Sequence, residues 1–293
     1  MFKRPSIVAL AVISAFLYVT ARAQDEASRQ LWDSQFLKKR AGAKTTSAPR
    51  KNPGYRRATP KSEAIDESAG EVIGVTIWRL RQSREADNKE ARLLLQDEAS
   101  SEGTEFTPER VEAESTFAAG DRVRLSIESP RDGFLYVIDR EQYADGTSSD
   151  PYLIFPSLRN RNGDNAVKAG KVIELPARSA FRLKPMRADY NGELLTVIVT
   201  PEPLRDVRPG PSVLKLEREL VGKWEQQWRS PFERFELTGG AGMPYTRAEK
   251  EAGQDGSRLL TQEDELPQTL YRVIAKPGTP LLISVSLRIN KKD

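Results

Sequence analysis

Apolar and polar residues alternate along residues 120–204 in short runs, and each run is closed by a Gly, a Pro or an Asp-Gly pair. In residues 121–128 the apolar side chains take every second position, so they fall on one face of an extended chain. Residues 133–139 and 194–200 are further apolar runs rich in β-branched side chains. Closely spaced strands between such turns predict an antiparallel β-sandwich or barrel-like unit.

The same pattern continues on both sides of this stretch. It predicts strands at residues 71–80 and 91–96 before it, and at 269–275 and 281–289 after it. Residues 71–80 are apolar on both faces, so we expect an interior strand or one covered by a helix.

One amphipathic helix is predicted near residues 212–228. Its apolar residues recur mostly at spacings of three and four, Ser212 is a suitable N-cap, and Pro231 follows the end of the pattern. Trp224 and Trp228 continue the apolar stripe, so we expect them to seal the helix onto the sheet; a partner or membrane surface is the alternative. The sequence thus predicts one mainly β domain over residues 70–290 with one packed helix.

Residues 24–69 predict a flexible basic linker, because small, polar and charged residues follow one another there without periodicity. Segment 24–62 carries 10 Lys and Arg against 3 Asp and Glu, whereas residues 63–293 carry 33 against 39. We expect a solvated tether, with contact to anionic envelope polymers or lipid headgroups as the alternative. Since the basic charge lies in this tail and not on the folded domain, nucleic-acid binding is not expected.

Residues 1–23 are organised like a cleavable secretory signal peptide. A basic start and an apolar run precede Ala21-Arg-Ala23, which predicts cleavage before Gln24. The apolar run at 7–19 has 13 residues, fewer than the ~20 of a membrane-spanning helix. We therefore expect a periplasmic or secreted protein with no integral membrane segment after cleavage; whether the signal peptide is cleaved or retained is left open.

The chain has no cysteine and no histidine. It therefore has no thiol nucleophile, no Ser-His or Cys-His pair and no imidazole metal ligand, which leaves carboxylates, Lys, Tyr, Ser and Thr as catalytic groups. This composition favours a non-enzymatic protein, and the sequence predicts neither a cofactor nor a metal site.

The central segment is similar to a bacterial family known as domain of unknown function 4384, and the resemblance covers about a third of the chain. The chain departs from the family pattern at Phe134, where members often carry Tyr, and in the longer excursion 139–151. The resemblance implies an extracytoplasmic accessory β-domain, and it implies no activity and no catalytic residues. The motifs that carry it are Gly120-Asp-Arg-Val-Arg-Leu125, Gly133-Phe-Leu-Tyr-Val-Ile138, Leu153-Ile-Phe-Pro156, Ala169-Gly170, Leu175-Pro-Ala177 and Gly192-Glu193.

Two polar loops between residues 139 and 165 are the candidate contact surfaces of the predicted domain. They could form a carbohydrate-contacting rim, and the oxygen-rich first loop could bind calcium, although its acidic residues lack the EF-hand spacing. Solvated turns are the simpler interpretation. The candidate ligand-contact residues are Asp139, Tyr143, Asp145, Asp150, Tyr152, Asn160, Asn162 and Asp164.

These observations favour an exported, non-enzymatic binding or accessory protein of the bacterial cell envelope, which contacts a partner protein or an envelope polymer. One alternative is a hydrolase that acts on envelope polysaccharide through paired carboxylates. Another is a purely structural accessory of a larger surface assembly. The sequence does not indicate the oligomeric state.

Overall fold

The computed structural model describes residues 39–42, 54–58, 70–96, 103–255 and 258–290. Within them the chain forms sixteen strands and two α-helices. The strands are β1 (Tyr55–Arg57), β2 (Glu71–Gln82), β3 (Leu93–Gln96), β4 (Gly103–Val111), β5 (Thr116–Phe117), β6 (Arg122–Glu128), β7 (Gly133–Tyr143), β8 (Tyr152–Phe155), β9 (Ala166–Val167), β10 (Val172–Leu175), β11 (Phe181–Arg182), β12 (Tyr190–Thr200), β13 (Leu214–Lys215), β14 (Phe232–Leu237), β15 (Thr269–Val273) and β16 (Leu281–Ile289). The helices are α1 (Arg218–Trp228) and α2 (Arg247–Asp255).

The strands form two sheets that pack face to face, which confirms the predicted mainly β, sandwich-like unit. Sheet I has nine strands, six of them in the order β1-β14-β15-β2-β4-β3. β15 and β4 pair with successive parts of one edge of β2, and β6 pairs with its opposite edge. β10 and β11 pair with β6. Sheet II has seven strands in the order β13-β8-β7-β12-β16-β5, and β9 pairs with β7. The pairings are antiparallel except for that of β16 with β5.

The core between the sheets is built by the period-two pattern of the long strands. Every second side chain of β2 and β6 in sheet I points into an apolar cluster between the sheets. Every second side chain of β7, β12 and β16 in sheet II points into the same cluster. In β6 these are the apolar residues whose alternation the sequence shows. The central members are Ile73, Val75, Ile77, Val123, Leu125, Ile127, Leu135, Val137, Leu195, Val197, Ile283 and Val285.

Helix α1 covers the outer face of sheet II, which confirms the predicted packed helix. Val221 and Trp224 are buried against β7, β8 and β12, and Trp228 stacks on Trp224 with ring centroids 5.7 Å apart. The helix begins at Arg218, six residues later than Ser212, because residues 214–215 pair with β8 instead. Its N-cap is Glu217, without a side-chain hydrogen bond, so the assignment of Ser212 as the N-cap was wrong.

The outer face of β2 is also covered, which explains why residues 71–80 are apolar on both sides. Trp78 and Leu80 pack there with Leu95 and Tyr245, and Trp78 meets the Tyr245 ring edge-on at 4.8 Å. Helix α2 and residues 258–268 lie over this face of sheet I. Sequence analysis did not predict α2, β4 or β14.

Two short stretches of the predicted linker belong to the fold. Residues 55–57 form β1 at the edge of sheet I, and the side chain of Arg40 is buried beside Glu128. The signal-peptide prediction at 1–23 and the rest of segment 24–69 lie outside the described residues. No helix in the described part of the chain has the length and apolar character needed to cross a membrane.

Candidate functional site

The two candidate loops lie at opposite ends of β7 and do not form a common rim. Tyr143 ends β7, and the first loop continues from it towards β8. The second loop lies near the beginning of β7, where β9 pairs with Gly133. The N–H of Leu135 donates to the carbonyl of Asn165, and the side-chain amide of Asn165 donates to the carbonyl of Leu135. The loops therefore cannot present their polar side chains to one small ligand.

The exposed polar residues of the first loop close turns and ion pairs within the protein. Asp145 accepts hydrogen bonds from the backbone N–H and hydroxyl of Thr147 and pairs with Arg187; these bonds lower its pKa to about 2. Asp150 pairs with Lys215 and with Arg218, which joins the loop to the start of α1. Tyr152 is half-buried in β8, opposite Lys215.

The second loop is also organised by its own polar groups. Asn160 is buried, and its Oδ1 accepts the backbone N–H of Ala177 at 3.2 Å. Asn162 is exposed in a left-handed conformation with φ of 53°. Asp164 accepts the backbone N–H of Ala166 at 3.0 Å. Each candidate thus has a structural role that accounts for a polar residue at its position.

Asp139 differs from the other candidates, because it belongs to a buried group of three carboxylates inside the sandwich. Asp139 and Glu141 lie on β7 at the inward positions that follow Leu135 and Val137. Glu193 lies opposite Glu141 on β12. Glu141 and Glu193 are 9% and 7% exposed. Glu193 is not among the site residues predicted from the sequence, although an acidic residue at an inward strand position is a signal that could have identified it.

Two tyrosines and a shared proton stabilise this group. The hydroxyl of Tyr190 donates to Glu193 Oε1 at 2.6 Å, and that of Tyr143 donates to Glu141 Oε2 at 2.9 Å. Asp139 and Glu193 are neighbouring carboxyl groups that influence each other's pKa. Burial and the neighbouring Asp139 raise the pKa of Glu193 to about 9, and burial raises the pKa of Asp139 to about 6. Glu193 therefore carries a proton at neutral pH.

The carboxylate group has no geometry for binding a metal ion. Across the described ranges, no three acidic side chains are arranged to hold one. Two cavities lie on the outer face of sheet I, one beside Leu94 and one beside Arg40, and these carboxylates line neither of them. Their arrangement supports proton sharing inside the protein.

The larger cavity is an open groove of about 500 Å³ on the outer face of sheet I. One wall is the Leu93-Leu-Leu95 stretch of the edge strand β3, and Arg178 and Lys250 line another part of the groove. Leu94 is 69% exposed. We call this cavity the β3 groove.

The floor of the β3 groove is rigid and internally paired. Arg124 is buried, contacts Glu174 at 3.0 Å and donates hydrogen bonds to the backbone carbonyls of Pro176 and Ala177. The hydroxyl of Tyr245 also donates to Glu174. Because Arg124 already has these partners, it stabilises the floor of the groove. A ligand would therefore contact the other residues that line the groove.

No family model, curated protein or solved structure matches this chain. The resemblance of residues 120–204 to domain of unknown function 4384 therefore stays a prediction.

Proposed function

We propose that this chain is an exported, non-enzymatic binding protein of the bacterial cell envelope that holds a partner protein in the β3 groove. The observation that carries the proposal is Leu94, a large apolar side chain that is 69% exposed on an edge strand beside a cavity of about 500 Å³. Export rests on the predicted signal peptide, and the accessory role agrees with the family resemblance.

The edge of sheet I at β3 is a suitable template for an extended peptide. Within the described residues β3 pairs with β4 alone, and a bound peptide would pair with its other edge. Folded proteins commonly protect such edges with charges, prolines or covering segments, because unpaired backbone groups recruit other chains. The outward Leu94 instead adds apolar surface, which supports binding by strand addition.

Charge indicates the kind of peptide that the groove would prefer. Arg178 is exposed and makes no ion pair with any acidic residue that the structure describes. The ammonium group of Lys250 donates a hydrogen bond to the backbone carbonyl of Arg92, and this bond places the positive charge of Lys250 beside the groove. The expected partner is an extended protein segment with apolar side chains and a carboxylate.

An anionic envelope polymer is the other candidate ligand, and the apolar wall of the groove favours the protein. The hydrolase alternative has less support, because Asp139 and Glu193 face the interior of the sandwich away from both cavities.

The test is photocrosslinking in the native envelope. A photoreactive residue replaces Ala177, which also lines the groove, in three chains: one with Leu94, one with Leu94→Asp and one with Val213→Asp. Val213 is 56% exposed and does not line the groove, so it serves as the matched control. We expect one discrete protein adduct that Leu94→Asp abolishes and Val213→Asp retains.

Three results would overturn this proposal. They are no adduct, an adduct that survives Leu94→Asp, or a diffuse adduct that glycan-degrading enzymes remove and that identifies a polymer. Turnover of cell-wall glycans that Glu193→Gln abolishes would overturn the non-enzymatic assignment.

A further inference from the structure

Residues 39–42 occupy a built recess on the outer face of sheet I, and the residues that form the recess are distant from them in the sequence. The side chain of Arg40 is buried between β6 and residues 261–265, although the residue belongs to the segment predicted to be a tether. We call the surrounding site the Glu128 socket.

The socket satisfies the guanidinium of Arg40 on all sides. Glu128 accepts Nε at 3.0 Å and one terminal nitrogen at 2.7 Å, a two-point contact that only arginine makes. The backbone carbonyls of Thr261, Asp264 and Glu265 accept three further hydrogen bonds at 3.4, 3.0 and 3.3 Å. Both Arg40 and Glu128 are buried, at 3% and 4% exposure.

The socket also binds the backbone of the segment. The N–H of Ala41 donates to the carbonyl of Leu260 at 3.0 Å, and the carbonyl of Ala41 accepts from Gln262 at 3.3 Å. A Cβ on Gly170 would lie 2.8 Å from the carbonyl oxygen of Lys39, so glycine is required for the segment to approach. Side-chain and backbone recognition together define a peptide-binding site.

We propose that the Glu128 socket is a binding site for an extended peptide with an arginine followed by small residues, and that it accepts residues 39–42 of a second copy of this chain. Every contact described above joins the segment to residues at least 88 positions away. None of these contacts depends on which molecule supplies the arginine.

The length of the connection permits exchange between copies. Eleven residues, 43–53, separate Gly42 from Gly54, and a chain of that length spans up to ~38 Å when extended. This reach allows the segment to leave its own socket and enter that of a neighbouring molecule, the low-cost route to dimers known as domain swapping. The second copy carries the same Lys39-Arg-Ala-Gly42 sequence, so it offers the ligand that the socket already fits. This site and partner differ from the β3 groove and its ligand.

The test combines two variants of the full chain, each lacking one half of the contact. Arg40→Ala keeps the socket without its ligand, and Glu128→Ala keeps the ligand without its socket. We expect light scattering to show single chains for each variant alone, and a mass that rises towards twice that value when the two are mixed. A mixture that keeps the mass of one chain at all concentrations would overturn the exchange.

A second measurement keeps the test decisive if Glu128→Ala does not fold. A fluorescent peptide of residues 36–44 is titrated into the Arg40→Ala chain, or into Arg40→Lys if the alanine variant fails to fold. We expect binding about tenfold tighter than for the same peptide with alanine at position 40, a difference of about 1.4 kcal/mol. Equal binding of both peptides, or binding of neither, would show that the socket does not recognise arginine supplied by another molecule.

Discussion

Glu193 of β12 and Asp139 of β7 are neighbouring carboxyl groups on the inner face of sheet II, where burial raises the pKa of both. Asp139 Oδ1 and Glu193 Oε2 are buried and receive no other donor from the described residues. A proton between the two groups satisfies both oxygens and removes one negative charge. The sandwich thereby buries these carboxylates without placing a cation between them.

Stability should fall as the pH rises through the range in which this proton is lost. The pKa values of Asp139 and Glu193 are raised, to about 6 and about 9. Unfolded carboxyls titrate near ~4, so the folded state holds more protons between that pH and the raised values, and the free energy of unfolding decreases with pH there. Glu193→Gln keeps a neutral donor at the site. Each pH unit in that range costs the parent about 1.4 kcal/mol, so we expect Glu193→Gln to gain about 4 kcal/mol on the parent between pH 5 and pH 8, by urea denaturation followed by circular dichroism.

The control for this experiment is Glu202→Gln, since Glu202 is exposed outside the carboxylate group. Its curve of unfolding free energy against pH should run parallel to that of the parent. If the Glu193→Gln curve were also parallel, the shared proton would not exist.

Arg40→Ala should destabilise the protein strongly, because it leaves Glu128 buried without its partner. Loss of one member of a buried ion pair costs about 3–5 kcal/mol. Burial already raises the pKa of Glu128, so the loss should shrink as the pH falls and the orphaned carboxyl takes up a proton.

Arg56→Ala is the matched control for Arg40→Ala. Arg56 also lies in the predicted linker, but its pair with Glu112 is exposed, and such pairs contribute about 0–1 kcal/mol. Guanidinium denaturation of both variants makes the comparison. Equal losses for the two would mean that burial of Arg40 does not set its contribution.

The strands that sequence analysis predicted are those in which a local pattern and the tertiary fold agree. In β6 the apolar alternation is strict enough to indicate the buried face directly. The missed strand β14 places Glu233 and Glu236 in buried positions, where Arg272 and Arg57 pair with Glu233. Those partners lie on neighbouring strands that are distant in the sequence, so the charges make a buried strand look like a surface segment.

The candidate binding surfaces were harder to predict, for a related reason. Polar loop residues such as Asp145 and Asn160 look available for ligands, but they satisfy the turns that contain them. The β3 groove is formed by residues around 94, 178 and 250, which only the tertiary fold brings together. No local pattern connects them.

Trp224→Ala should detach helix α1 from sheet II. The ring of Trp224 is buried against Tyr136 and Ile198, and removing such a side chain costs about 3–5 kcal/mol. Trp228 is only half-buried, so Trp228→Ala should cost less than half as much. Chemical denaturation of both variants measures the difference in the free energy of unfolding. Equal losses of stability would contradict a helix that packs on the sheet mainly through Trp224.

Gly192→Ala should destabilise the protein because the backbone at this position leaves no room for a side chain. Gly192 has φ of 131°, and a Cβ there would lie 2.1 Å from the carbonyl oxygen of Leu287 on the paired strand β16. Strand separation or a backbone shift must follow, with an expected loss of about 3 kcal/mol or more.

Gly222→Ala provides the opposite result within the same chain. Gly222 lies on the exposed side of helix α1, and a Cβ added there would meet no atom within 4 Å. Alanine there restricts the unfolded chain and favours the helix, so we expect a gain of about 0.5–1 kcal/mol. Thermal and urea unfolding of the two variants should therefore shift in opposite directions. A Gly192→Ala protein as stable as the parent would show that β12 and β16 do not approach as closely as their register requires.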